Sequence, residues 1–274
     1  MERRDFIKTV GGATGVGALT AMFGSDALGA VETATQRTAG LSALQVAQDE
    51  DFWRDIQQAF TVSRGIVNLN SGSSGACPAV VTDSLIRYLW QQEEAPAYQR
   101  GVLRPRLEMV RVGLAGLFGC DSEEIALMRS TTEAMQTVLH GLDLQRDDEV
   151  LITTQEYPAL VGILKRREKR DGIRIKEISI PAPPESLDAL VNIFEREMTS
   201  KTRLILVSHP TYLNGQLFPI KRICEIAHQR GIEVAVDGAH SFGQIDFKHQ
   251  DLDCDYYATS LHKWLSAPKG TGML

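Results

Sequence analysis

Cysteine is scarce in this chain. Four residues among 274, at positions 77, 120, 224 and 254, lie far apart and make no C-x-x-C pair. Such spacing gives neither a disulfide framework nor a thiol-redox motif, and single buried thiols are the expected state. The six histidines fall at no ligand spacing, which speaks against a metal site. Aromatic residues make up only 7% of the chain, and none interleaves with its dense basic run, Lys165 to Arg170. A single-stranded nucleic-acid surface needs that interleaving, and a formal charge of −6 adds no general attraction to nucleic acid. The run is expected instead to be the solvated end of a helix, where positive charge suits the C-terminus. Also missing are a G-x-G-x-x-G fingerprint, a phosphate-loop lysine and an acidic residue after the second strand. Together these absences exclude a Rossmann dehydrogenase. There is no internal repeat. The uncharged stretch Thr9 to Ser25 is too short and too rich in glycine for a stable membrane span.

What is present is ordinary globular composition, 43% hydrophobic and 23% charged, in a chain long enough for one large domain or two small ones. At the start, Arg3-Arg4, Phe6 and Lys8 precede the weakly hydrophobic stretch, and Ala27-Leu28-Gly29 offers a small-residue cleavage site before Ala30. These features resemble a twin-arginine export signal, so residues 1–29 are expected to be that signal and the protein to be periplasmic. Residues 30–45 are polar and unpatterned, as in a linker. An N-terminal helical segment is expected over 46–65, with Phe52, Ile56 and Phe60 on one face.

Residues 66–274 carry the pattern of an α/β domain. A short strand is expected at Ile66 to Asn70, entering the turn SGSSGACP, whose backbone N–H groups suit an anion. Pro78 opens a helix through Leu85, Leu89 and Trp90. Leu103, Leu107, Val110, Leu114 and Leu117 then recur at intervals of four and three, an apolar stripe expected in the core. From Ile125 onward strand-like runs alternate with helical ones: Ile125 to Met128, Glu149 to Thr153, Ile173 to Ile180, Leu204 to Val207 and Val234 to Val236. That order calls for a mostly parallel sheet with helices on both faces.

Two stretches carry chemistry. Val234 to Val236 stops at Asp237, and the carboxyl end of a buried strand is where open α/β sheets hold ligands. Lys263 follows another strand-like segment, inside Ser260-Leu261-His262-Lys263. An aspartate to pair with a cationic ring nitrogen and a lysine to form a Schiff base are the two groups pyridoxal 5'-phosphate (PLP) needs. Taken alone, Asp237-Gly238 fits a simple turn equally well. In the same way Ser130-Thr131-Thr132, ahead of a helix expected over Ala134 to Leu142, fits either a helix cap or a phosphate site.

Six segments occur together and in order: LNSGSSGACP (69–78), RSTTEAM (129–135), TTQEYPA (153–159), SHPTYLNG (208–215), VDGAHSFG (236–243) and SLHKW (260–264). As a set they resemble the class V aminotransferase family of fold-type I PLP enzymes, and most of all its isopenicillin N epimerase-like branch. The likeness covers roughly residues 50 to 274.

The resemblance implies roles. Lys263 would hold PLP and shuttle a proton, with Asp237 on the pyridine nitrogen. Thr131 and Thr132 would form the phosphate cup, met from the other side by Ser260 and His262. Tyr157 would stack on the ring, although the residue alone fits an aromatic anchoring the next helix. His240 would sit near the ring hydroxyl, and Thr211 or Asn214 would bond the phenolic oxygen. The implied substrate is an amino acid or related amine, and the implied activity is aminotransferase or epimerase. The alternatives are a cysteine desulfurase-like lyase, against which Tyr157 weighs because desulfurases typically place histidine there, and a non-catalytic remnant that keeps the fold. A homodimer is implied too. Members of the family carry a further C-terminal small domain, so the chain is expected to be a large domain truncated before it.

Overall fold

The computed structural model describes residues 26–274. The expected export signal lies outside them, apart from its last residues, Asp26 to Gly29. The chain divides into two compact units. One comprises residues up to 117 with 243–246 and 262–269, and the other 118–242 with 247–261 and 270–274.

The first unit is helical: α1 (Asp26–Arg37), α2 (Ala43–Ala47), α3 (Glu50–Gln58), α4 (Ala79–Glu94) and α5 (Pro96–Phe118), the last residue of which belongs to the second unit. Much of the expected linker is therefore helix. The threonines that make this stretch look unpatterned fold their hydroxyls back onto carbonyls one turn earlier, Thr33 on Gly29 and Thr35 on Val31, both at 2.8 Å. Ala34 then packs with Val46 and Phe52 in a small core. Caps fix the next starts. Ser42 and Gln45 form a capping box at α2, and Asp49 accepts the Phe52 N–H at α3.

The strand expected at 66–70 does not form. No strand pairs with this run, and Leu69 stands 91% exposed. Helices α4 and α5 arise where periodicity places them, with Pro78 as the α4 N-cap. The apolar stripe on α5 is only partly core, however. Leu114 is buried while Leu107 and Val110 are exposed, and on α4 Trp90 is 70% exposed. Among the described residues, nothing in this unit covers that face. No described helix is long and apolar enough to cross a membrane.

The second unit is a seven-stranded sheet of β1 (Leu127–Met128), β2 (Glu149–Thr153), β3 (Arg174–Ile178), β4 (Thr202–Ser208), β5 (Glu233–Asp237), β6 (Tyr256–Ser260) and β7 (Gly272–Met273). Their order is β1-β7-β6-β5-β4-β2-β3. Strands β3, β2, β4, β5 and β6 are parallel, and β7 runs antiparallel to both neighbours. The connecting helices are α6 (Thr131–Gly141), α7 (Pro158–Asp171), α8 (Leu187–Glu197) and α9 (Ile220–His228). From β2 the chain steps outward to β3 through α7, then back past β2 to β4 through α8. Right-handed crossovers in opposite directions put these helices on opposite faces. Val150, Ile152, Leu204, Leu206 and Ala235 pack with Met135, Leu139, Leu160 and Leu164 from α6 and α7. Leu151, Ile205, Val234 and Val236 alternate to the other face and are equally buried. The mostly parallel sheet expected from the sequence is thus present.

The basic run differs from expectation at one position. Arg167 is buried, and its guanidinium donates to the carbonyls of Leu139 (2.6 Å) and Leu142 (2.9 Å) and to Asp171 (2.7 Å). It closes the C-terminal end of α6, whose last carbonyls have no intrahelical partner. Hydrogen bonds from Arg170 and then Arg167 hold the Asp171 carboxyl far below the usual carboxylate range.

Candidate cofactor site

Strand order reverses between β2 and β4, the kind of point at whose carboxyl ends open α/β sheets hold ligands. Thr153, Glu156 and Tyr157 follow β2, Ser208, His209 and Thr211 end or follow β4, Asp237 and His240 end or follow β5, and Ser260 ends β6.

Asp237 is 5% exposed. Its Oδ1 accepts the Ala239 N–H at 3.0 Å, and its carbonyl accepts the His209 N–H at 2.8 Å. The turn that follows is backed by a rigid ring. A Cβ added to Gly238 would lie 2.0 Å from the Tyr257 Cζ, and Tyr257 is itself fixed by bonds to Ser241 (2.8 Å) and to the Gly238 carbonyl (3.2 Å). Gly238→Ala is expected to cost about 3 kcal/mol of stability, read from urea unfolding, because the buried ring has nowhere to turn. A loss under about 1 kcal/mol would show that the ring yields. His240 sits partly buried three residues on, in the same turn.

Helix α6 starts at Thr131, three residues earlier than expected, and Ser130 rather than Thr132 is its cap, accepting the Glu133 N–H at 3.2 Å. The Thr131 N–H donates to the Ser260 Oγ at 2.9 Å, and the two hydroxyls lie 2.8 Å apart. Those bonds engage the first and third N–H groups of the helix and leave the second, on Thr132, for an anion. A Cβ on Gly272 would fall 2.7 Å from the Ser130 nitrogen, so β7 reaches this corner only as glycine. Thr131 and Ser260 thus meet at this corner, with Thr132 the next residue of the helix.

Tyr157 stands 43% exposed at the start of α7, its ring edge-on to Tyr212 with centroids 5.5 Å apart. The sequence reading missed Tyr212 as the support of that ring. Thr211 and Asn214, offered as alternatives for one role, are bonded to each other. The Thr211 hydroxyl donates to Asn214 Oδ1, and the Asn214 amide donates on to Gln155 at 3.3 Å.

His262 and Lys263 belong to the first unit. There the glycine- and serine-rich turn braces the lysine segment. The Gly75 N–H donates to the His262 carbonyl at 3.0 Å, and a Cβ on Gly75 would fall 1.9 Å from the Lys263 carbonyl oxygen. The Cys77 thiol donates to the Ala267 carbonyl at 3.0 Å, and the Lys269 ammonium donates to the Gly75 carbonyl.

Glu156 was also missed. It is 4% exposed and accepts the hydroxyls of Thr153 and Ser208, each at 2.6 Å. Burial pushes its pKa up to about 7, and the charge of Asp237 adds to the rise against the hydroxyl bonds. Its sequence signal is weak, since a glutamate between strand and helix is ordinarily a surface residue. Burial alone pulls His209 down to about 4, so its imidazole is neutral.

The second-unit groups fit PLP: an anion-ready helix start closed by two buried hydroxyls, a buried carboxylate for the ring nitrogen and a supported aromatic ring. Their sheet order is that of the fold-type I large domain. The chain belongs to the class V aminotransferase family, since the profile described as Aminotransferase class-V matches residues 66–274.

Among curated relatives, isopenicillin N epimerase of Amycolatopsis lactamdurans is 32% identical over 225 residues, 81% of this chain and 56% of that protein. Putative L-cysteine desulfhydrase 2 of Oryza sativa subsp. japonica is 28% identical over 230 residues, 77% of this chain and 48% of its own. The cystine C-S lyase C-DES, solved with its product cysteine persulfide, superposes with a TM-score of 0.71 at 27% identity, over 74% of this chain and 55% of that one. A mutant of C-DES was solved with glycine covalently linked to the PLP cofactor (TM-score 0.68, 28% identity, 74% and 55% coverage). The chain spans about half the length of the curated relatives it matches.

Proposed function

We propose that the protein is a PLP-dependent enzyme acting on an amino acid, a lyase that cleaves a bond to sulfur. The observation that carries the cofactor is the Thr131–Ser260 cup beside Asp237 at the end of β5. The lyase reading is supported by the desulfhydrase relatives and by the likeness to C-DES. The epimerase relative, at 32% identity, favours inversion at the α-carbon as the second reading. Transamination has less support.

Bound PLP supplies an electron sink that lets a bond at the amino acid α-carbon break. Asp237, as an anion, keeps the ring nitrogen protonated, and burial strengthens that attraction. Thr131, Thr132 and Ser260 would hold the phosphate, and Tyr157 would stack on the ring. The Lys263 Nζ would hold the cofactor, and its amine is the basic group that would take a proton from the amino acid α-carbon. A lyase would use this chemistry to release a sulfur leaving group from the β-carbon, and an epimerase to return the proton to the opposite face. A homodimer belongs to the same reading, supported by the exposed apolar faces of α4 and α5.

Borohydride reduction of the PLP-supplied chain, followed by peptide mapping, tests the cofactor. A pyridoxyl group on Lys263, absent from Lys263→Ala, is expected. An unlabelled Lys263 in a folded chain sinks the reading. Sulfide release from cysteine or cystine, against inversion without release, then decides between lyase and epimerase.

A further inference from the structure

Nothing in that chemistry uses Glu156, yet it occupies the reversal point of the sheet. Its two carboxyl oxygens tie β2 to β4, Oε1 accepting from Thr153 at the end of one strand and Oε2 from Ser208 at the end of the other. The Thr153 oxygen already accepts the Gln155 N–H at 3.1 Å, so its proton is committed to Glu156. Ser208 is the register partner of Asp237, and side chains of paired residues in parallel strands leave the same face of the sheet. Two buried acids therefore stand behind one strand end. Among the described residues, no cationic side chain bonds or pairs with Glu156.

We propose that Glu156 is a positioning residue for Asp237: as a neutral carboxylic acid it bolts β2 to β4 and leaves Asp237 to carry the single negative charge of the buried pair. The inference rests on the proposed function, because the charge on Asp237 matters through the ring nitrogen it meets. The physical ground is that two carboxyls sharing a dry site do not both ionise cheaply. Asp237 has a backbone N–H to stabilise its anion, whereas Glu156 meets hydroxyls; with Thr153 donating to Oε1, a protonated Oε2 donates to the Ser208 oxygen across the same 2.6 Å contact. Of the titratable groups, Asp237 at the end of β5 acts on Glu156; His209 follows β4, and Tyr157 is the neighbour of Glu156 in sequence. His209 is neutral, and the charge of Asp237 acts on Glu156.

A pH signature follows. The folded-state value, about 7, lies above the ordinary carboxyl value of 4.5. The folded protein therefore keeps a proton that the unfolded chain has lost. This contribution to stability is complete below the unfolded value, falls as pH rises toward about 7 and levels off beyond.

The experiment compares cofactor-free wild type, Glu156→Gln and Glu156→Ala by thermal unfolding from about pH 5 to about pH 8.5. Glutamine keeps both bonds without the proton. Relative to it, the wild type is expected to lose roughly 5 °C across the window, mostly below neutrality. Alanine should melt lower at every pH. Parallel wild-type and glutamine profiles overturn the proposal.

PLP titration followed by absorbance gives a second readout on the same proteins. Glu156→Gln should bind PLP within about threefold of wild type below neutrality, while Asp237→Asn binds at least about tenfold more weakly. Equal weakening by both substitutions would place the charge on Glu156 and overturn the proposal. If the wild type takes up no PLP, the cofactor reading falls by itself, and the melting profiles still decide the state of Glu156.

Discussion

Gly75→Ala is expected to cut pyridoxyl labelling of Lys263 by about a hundredfold while leaving the sheet of the second unit folded. The added methyl would lie 1.9 Å from the Lys263 carbonyl oxygen, 3.0 Å from the carbonyl carbon and 3.4 Å from the His262 oxygen. All three are main-chain atoms, so no side-chain rotation relieves the clash. Either the turn withdraws, losing the bond from the Gly75 N–H to His262, or the lysine peptide moves. A displacement near 1 Å at a reacting group costs about a hundredfold. Mass-spectrometric labelling measures the loss, and circular dichroism with thermal unfolding checks the fold. Wild-type labelling in the variant would mean that the turn, not the lysine, gives way.

Arg167→Ala is expected to remove roughly 2–4 kcal/mol of stability, because two buried carbonyls each lose their donor. Two carbonyls at the end of α6 would lose their donor, and the Asp171 carboxylate would keep only Arg170. Arg167→Lys should recover little of this, since one ammonium cannot reproduce a planar fork aimed at three acceptors. Because Arg167 is buried, the loss should persist at high salt, unlike that of a surface pair. The same helix offers its other end to the phosphate, so the variant should also bind PLP more weakly. Urea unfolding gives the first effect. A loss below about 1 kcal/mol would show that water takes over the carbonyls.

The parts of the molecule legible in the sequence are those whose signal is local. Strands β2, β4 and β5 are short apolar runs buried on both faces, and Gly172 (φ 79°) ends α7 in the left-handed conformation that glycine permits. Asp237, Lys263 and the hydroxyl cup stood out by the order of their segments. The illegible parts depend on partners far away in sequence. Residues 66–70 have strand composition and no strand to pair with. Arg167 looks like its basic neighbours, yet it alone turns inward, toward the end of α6. Glu156 and Gly75 matter because of Ser208, 52 residues later, and the lysine segment respectively, distances that no periodicity spans.

The contact between Thr131 and Ser260 joins residues 129 positions apart, and β1 finds its neighbour only when β7 slides between it and β6. During synthesis the phosphate cup therefore cannot form until the end of β6 has emerged, 129 residues after Thr131. Strands β2 to β5 can assemble as they leave the ribosome, whereas the hydroxyls at the start of α6 wait for the very end of β6. Until β6 arrives, β5 is an open edge of buried-type sequence, Val234-Ala235-Val236, with unpaired amides along one side. An edge of that kind pairs with whatever strand is nearest, including another nascent chain. Slow or interrupted translation ahead of residue 256 prolongs the time that this edge stays open.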